Sequence, residues 1–291
     1  MKKTMGYVYV ILASVFWGAI GLFNRTLQSC GVGLMTRQTV RQFGAFLALL
    51  VIFGLFRRSV FRIQWKHLPL FAVLGIVSQL GTSWLYMSCQ MECSLAVACT
   101  LMYLSPALVV LFDAVVRKKP LTKRKVTAVL LSLVGSALVS GIVSGGLTIS
   151  LKGLIVGVLS AVTYAGYTIL GQYILKTYDS QTMLFWGMTF SGFASLLLAD
   201  GAEVGVVFRN PLALLAAAGL ALICSVAAYF CYAKSLEVLD GGTASVISTL
   251  EAVVAVLIGL LVFHEVPDGW TMVGIAMVIS SVILLSRGDK K

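Results

Sequence analysis

The chain has 291 residues, of which 59% are apolar and 11% charged, and its formal net charge is +11. The charged share is less than half of the about 25% usual in soluble domains, too little to cover a water-facing surface. The basic residues stand in short links between long apolar runs, which argues against nucleic acid as a partner.

Taken in chain order, the apolar runs predict ten membrane-spanning helices, at 5–25, 35–56, 68–90, 94–116, 124–143, 151–175, 181–199, 211–235, 241–263 and 269–286. A helix of about 20 apolar residues crosses the hydrocarbon core, and these runs are of that order. Segments such as Ala128 to Val143 and Val246 to Phe263 are apolar all round. That pattern excludes the apolar–polar alternation of a barrel strand, so the fold class is an all-α membrane protein. Lys2 and Lys3 before the first run resemble the start of a signal peptide, yet no small-residue cleavage site precedes Asn24 and Arg25. The run is read as an uncleaved first helix. Six cysteines form no CxxC pair and no Cys/His pattern, so neither a disulfide, a metal nor a cofactor is expected.

Polar residues recur on one face of several runs. Helix 1 presents Ser14, Trp17, Gly18 and Gly21. Helix 2 carries Arg41 one turn inside its outer end, placed to pair with an acidic group or a solute carboxylate. Helix 3 presents Gln79, Thr82, Ser83, Tyr86 and Gln90. In helix 4, Tyr103 and Ser105 precede Pro106, which removes a backbone donor and predicts a bend usable for gating. Asp113 stands four residues before Arg117, the spacing of a helical ion pair. Helix 6 has a stripe of Ser160, Thr163, Tyr164, Tyr167, Thr168 and Gly171, all on one side. Helix 8 offers Ser225, Tyr229 and Tyr232. In helix 9, Glu251 follows Ser245 and Ser248 on the same side. A carboxylate at mid-membrane must face the interior, pair, or take a proton.

These faces define a predicted substrate site. Trp17, Tyr103, Tyr164 and Tyr167 give aromatic walls, which suit amphipathic solutes and organic cations. Gln79, Tyr86, Tyr229 and Ser248 add hydrogen-bonding groups, and Glu251 supplies the charge for a solute amine or a proton relay.

Lys and Arg counts set the orientation. With the N-terminus in the cytoplasm, only Arg25, Arg37, Arg41, Lys152 and Arg209 fall outside, and the other 17 of the 22 fall inside. This predicts both termini in the cytoplasm. An internal repeat is also visible. A shift of 146 lays Tyr86 on Tyr232, Leu104-Ser105-Pro106 on Leu250-Glu251-Ala252, and Lys118-Lys119 on His264-Glu265. The repeats are expected at 1–143 and 151–286. Five helices per repeat is an odd number, so the second is expected to be inverted in the membrane.

With Trp17-Gly18, Arg41, Tyr86, Leu104-Ser105-Pro106 and His264-Glu265 in these places, the chain resembles the EamA family of the drug/metabolite transporter superfamily. The resemblance implies a ten-helix bundle with a central cavity lined mainly by helices 1, 3, 4, 6, 8 and 9. It also implies export or exchange of small metabolites such as amino acids. Two departures stand out: Lys118-Lys119 where a Gly-Glu-type pair often ends helix 4, and Ala252 where a proline often follows Glu251. The second predicts a helix 9 without a kink.

The function read from the sequence is a secondary active transporter of small solutes such as amino acids or amines, working by alternating access in the cell membrane. No nucleotide-binding loop is present, so a solute or proton gradient would drive it. Proton coupling is left open, and so is the choice between monomer and homodimer. The rival readings are an intramembrane enzyme acting on lipid and a channel. The enzyme lacks a nucleophile or metal set, since His67 and His264 fall on opposite sides. The channel would need a continuous polar path.

Overall fold

A computed structural model describes residues 2–143 and 148–286. Arg287, Lys290 and Lys291 of the charge count lie outside the described residues. The long helices are α1 (Lys3–Ser29), α2 (Leu34–Phe56), α3 (Trp65–Glu92), α4 (Leu95–Val115), α5 (Lys123–Val139), α6 (Leu151–Ile174), α7 (Ser180–Leu198), α8 (Pro211–Leu236), α9 (Gly241–Phe263) and α10 (Gly269–Ser286). Eight of them are long and apolar enough to cross a membrane. The other two are α5, with 17 residues, and α7, which bends by 111° into a short helix at Gly201–Arg209. That short helix falls in a stretch read from the sequence as a loop. Asp200 starts it, accepting a hydrogen bond from Ala202 N at 2.8 Å.

The burial pattern is that of a protein solvated by lipid. On α2, Thr36, Arg37, Gln38, Thr39, Arg41 and Gln42 are buried. Leu47, Leu50, Val51, Leu55 and Phe56 of the same helix are exposed. An apolar exterior around polar contacts is stable only where the surroundings are apolar too.

The helices pack in a pattern that survives exchanging the first five for the last five. α1 lies against α8 and α9, and α6 lies against α3 and α4. α2 packs on α8 as α7 packs on α3. The pairs α2 with α7, α4 with α9 and α5 with α10 map onto themselves. At the last, an added Cβ on Gly135 would sit 2.9 Å from the Gly274 carbonyl, and one on Gly274 would sit 2.6 Å from that of Gly135. Both positions must be glycine for the two backbones to cross so closely.

The same correspondence reaches backbone detail. A left-handed residue follows both α4 and α9, Lys118 at φ 53° three residues past Val115 and His264 at φ 57° directly after Phe263. Each end is closed by one wide hydrogen bond, Lys119 N to Asp113 O at 3.0 Å and Glu265 N to Gly259 O at 3.1 Å. Each bond spans six positions, one more than the six-to-one closure common at helix C-termini. α3 and α8 both contain wide π-type turns, at Val73–Leu80 and Leu222–Ala227.

α4 is interrupted at Tyr103 and Leu104, where Pro106 lacks the N–H that would bond the Met102 carbonyl. The ladder of α9 is also interrupted, at Thr249 and without a proline, although the helix runs as one span from Gly241 to Phe263. Hydroxyls take the proline's part. Ser248 Oγ donates to Ser245 O at 2.8 Å and Thr249 Oγ1 to Val246 O at 2.7 Å, and both bonds tighten the turn.

Candidate functional site

A cavity of about 350 Å³ lies between the two halves. Its size is within the usual range for small-molecule sites, which begins at about 300 Å³. Trp17, Gln79, Tyr86, Tyr103, Tyr164 and Tyr167 all line it. Tyr229 and Glu251 line it too, so eight of the nine substrate-site residues read from the sequence share one wall. Ser248 is the ninth. It is buried on α9 one turn before Glu251; its hydroxyl donates to Ser245 O at 2.8 Å and lies within hydrogen-bonding reach of the Tyr164 hydroxyl, which lines the cavity. Pro106 is buried behind the break in α4 and does not line the cavity.

The walls follow from local sequence. Trp17 meets Tyr229 edge-on at 5.2 Å between ring centroids, and Tyr229 meets Tyr167 at 5.1 Å. Tyr164 closes the group, its ring 6.5 Å from that of Trp17. Edge-to-face packing leaves ring faces free for an apolar or cationic guest. Gly18 sets how closely α1 approaches α9. A Cβ there would lie 2.6 Å from Val254 and 2.9 Å from the Glu251 carbonyl. Glu251 is enclosed by protein yet keeps accessible surface, as a side chain facing a hollow does, and the Tyr103 hydroxyl faces its carboxylate.

The helix 6 stripe divides by depth. Tyr164 and Tyr167 face the cavity. Thr163 accepts from Thr82 Oγ1 at 2.9 Å, and Thr168 bonds the Tyr232 hydroxyl at 2.7 Å beneath the cavity floor. Helix 3 contributes Gln79, Thr82, Ser83, Tyr86 and Gln90 to the wall, in agreement with its polar face.

The cavity has a sealed end and a mouth. Trp17, Gln79 and Tyr167 at the bottom are 2 to 5% exposed. Gly21, Asn24, Leu34 and Gln90 line the other end, beside the α1–α2 and α3–α4 links. Below the floor, the Asp113 carboxylate accepts from Arg117 at 2.9 Å and from Lys119 at 2.7 Å. Arg117 also donates to Gln172 Oε1 and to Ile169 O on α6. Lys125 reaches Asp240 at 2.8 Å, and Asp240 caps α9 by accepting from Thr243 N. Burial alone would raise the Asp240 carboxyl, but hydrogen bonds from Lys125 and Thr243 outweigh it and hold the group below its ordinary range. α4, α5, α6 and α9 are thus tied together at this end.

Sequence reasoning missed the share of α2 in the wall. Leu34, Gln38 and Arg41 line the cavity, spaced by four and three residues on one helical face. That spacing is a readable signal, although only Arg41 stood out. Asn24, Met87, Cys99, Met102 and Ala255 line it as well.

Comparisons with known proteins agree with this architecture. The family model described as the EamA-like transporter family matches twice, over residues 4–141 and 151–287. The chain is 26% identical to an uncharacterized inner membrane transporter, YicL, of Salmonella typhimurium, over 98% of this chain and 96% of that one. It is 23% identical to an uncharacterized transporter, YwfM, of Bacillus subtilis, covering 100% and 97% of the two chains. A solved crystal structure superposes with a TM-score of 0.80 at 20% identity, covering 99% of each chain, which establishes likeness of fold.

Proposed function

Since the chain belongs to the EamA-like transporter family, we propose that it is a secondary active transporter of small amine-bearing metabolites, amino acids among them, working by alternating access around this cavity. The observation that carries the reading is the hollow itself. Five tyrosines, one tryptophan and one carboxylate converge on it from helices of both halves.

Ten spans arranged as two inverted five-helix repeats, at 1–143 and 151–286, form part of the proposal. The exchangeable packing, the matched ends of α4 and α9 and the matched π-type turns of α3 and α8 all support it. α5 and α10 lie side by side away from the cavity, a geometry suited to a fixed axis about which the halves rock. The positive-inside count supports cytoplasmic termini, so the mouth would face outward and the tied end would face the cytoplasm. A carrier needs one closed end at a time, and the packing of Thr168, Tyr232, Arg117 and Gln172 beneath the floor favours that over a channel.

The test is flux in proteoliposomes against a panel of amines and amino acids, with and without a pH gradient. Glu251→Gln should abolish or uncouple transport while the protein stays folded. Coupled flux at the wild-type level in that variant would remove Glu251 from the mechanism.

A further inference from the structure

A second charge shares the cavity with Glu251. Arg41 on α2 is only 7% exposed, and it contributes to the cavity wall. Its Nε donates to Ser225 Oγ at 3.0 Å and its Nη2 to Cys224 O at 3.4 Å. Both acceptors belong to the wide π-type turn of α8, so the irregular backbone there holds the guanidinium in place. None of the ion pairs among the described residues includes Arg41 or Glu251. A guanidinium carries five N–H donors, and these two anchors leave most of the fork for another partner.

Arg41 and an ionised Glu251 attract each other across the cavity without forming a direct ion pair, and at that separation each offsets the other's burial only in part. Deprotonation does not relieve an arginine. The hollow therefore holds one cation and one anion, Arg41 and Glu251, on helices of opposite halves.

We infer that Arg41 is the specificity-determining residue for an anionic group on the solute, so that the site selects molecules bearing a carboxylate-type anion together with an amine. This rests on the reading of Glu251 as the amine's partner. A solute with both charges compensates Arg41 and Glu251 at once. A plain amine leaves Arg41 unmatched, and a plain carboxylate leaves Glu251 unmatched. Arg41 stands on α2 and Glu251 on α9, so such a solute also bridges helices of opposite halves.

The test is calorimetric binding to the purified full chain with three probes of one skeleton: L-phenylalanine, phenethylamine, which lacks the carboxylate, and 3-phenylpropionate, which lacks the amine. A charge-assisted hydrogen-bonded contact predicts that the wild type prefers phenylalanine over phenethylamine by about tenfold or more. Arg41→Gln should reduce that ratio to near one while phenethylamine binding is retained. Arg41→Lys should keep part of the ratio, because the charge stays and the fork is lost. Ser225→Ala, which removes the Nε anchor and leaves the charge, should weaken phenylalanine alone, and it serves if Arg41→Gln fails to fold. An unchanged ratio in these variants, an equal loss for both probes, or no preference in the wild type would overturn the inference. Glu251→Gln separates the two readings. If it loses phenethylamine while Arg41→Gln keeps the ratio, only the Arg41 inference falls. If it binds all three probes as the wild type does, the reading of Glu251 falls with it.

Discussion

The two ends of the cavity are built from corresponding helices and differ in what holds them. At the sealed end, Asp113 is 2% exposed and joins Arg117 and Lys119, while Arg117 crosses to α6 and Lys125 crosses to Asp240. At the mouth, the pair formed by Arg25 and Glu265 is about half exposed, with side-chain exposures of 51% and 55%. The two clusters follow the equivalent left-handed ends of α4 and α9. Gly259 stands where the repeat has Asp113, and the Glu265 carboxylate folds over it at 3.0 Å from an added Cβ. One backbone device thus carries a buried lock in one half and a wet clasp in the other. The sealed-end cluster ties four helices together while the solvated mouth pair is worth little, an asymmetry that agrees with which end is shut.

The comparison breaks most directly at Asp113. Asp113→Ala leaves Arg117 and Lys119 without their shared counter-ion. Removing one partner of a fully buried pair costs about 3 to 5 kcal/mol, and the solvent contact of the two cations brings the expected loss to about 2 to 3 kcal/mol. The variant should melt earlier in detergent. In a cysteine-free background it should also expose Thr168→Cys to a thiol reagent added from the sealed side. Unchanged labelling would mean that the cluster does not hold this end closed.

Much of the wall was legible, and the limits of that reading are instructive. A hydroxyl, amide or carboxylate within an apolar run must turn away from lipid, so Gln79, Tyr86, Tyr164 and Glu251 announced themselves. Met87, Met102 and Ala255 could not, because an apolar side chain facing a hollow looks the same in sequence as one facing lipid or core. Gln38 sits close to the start of α2, where polar residues commonly meet the membrane surface, and its direction is decided only by packing. The interruption at Thr249 escaped because proline is a strong sequence signal and hydroxyl back-bonding is a weak one. Ser248 stands one step back from the wall, its hydroxyl bonded to its own helix and within hydrogen-bonding reach of the Tyr164 hydroxyl.

A smaller effect is expected at the floor. Tyr232→Phe removes the bond to Thr168 and leaves a buried hydroxyl to find another partner, at a cost of about 1 kcal/mol. The ring, packed 5.1 Å from Trp17, stays in place. The variant, made with Thr168 intact, should therefore melt only slightly earlier, well below the change in Asp113→Ala. An equal drop in the two variants would give the floor bond the same weight as the ion pairs.

The smallest effect belongs to the mouth, and pH sharpens it. Glu265→Gln should leave melting and flux at neutral pH unchanged, because the pair with Arg25 is solvated. Hydrogen bonds from Arg25 hold the Glu265 carboxyl below its ordinary range, and Asp240 at the sealed end is depressed as well. A carboxyl depressed by folding contributes its full stability above the unfolded value, about pH 4, and loses it as pH falls through the lower folded value. Neither Glu265 nor Asp240 therefore accounts for a pH dependence of flux between about pH 5 and 8. If such a dependence survives substitution of both, the group to test is Glu251, the one carboxylate among the described lining residues. Glu265→Gln and Asp240→Asn should keep the shape of the profile, and Glu251→Gln should flatten it. A neutral-range step that vanished in Asp240→Asn would move the proton site from the cavity to the lock.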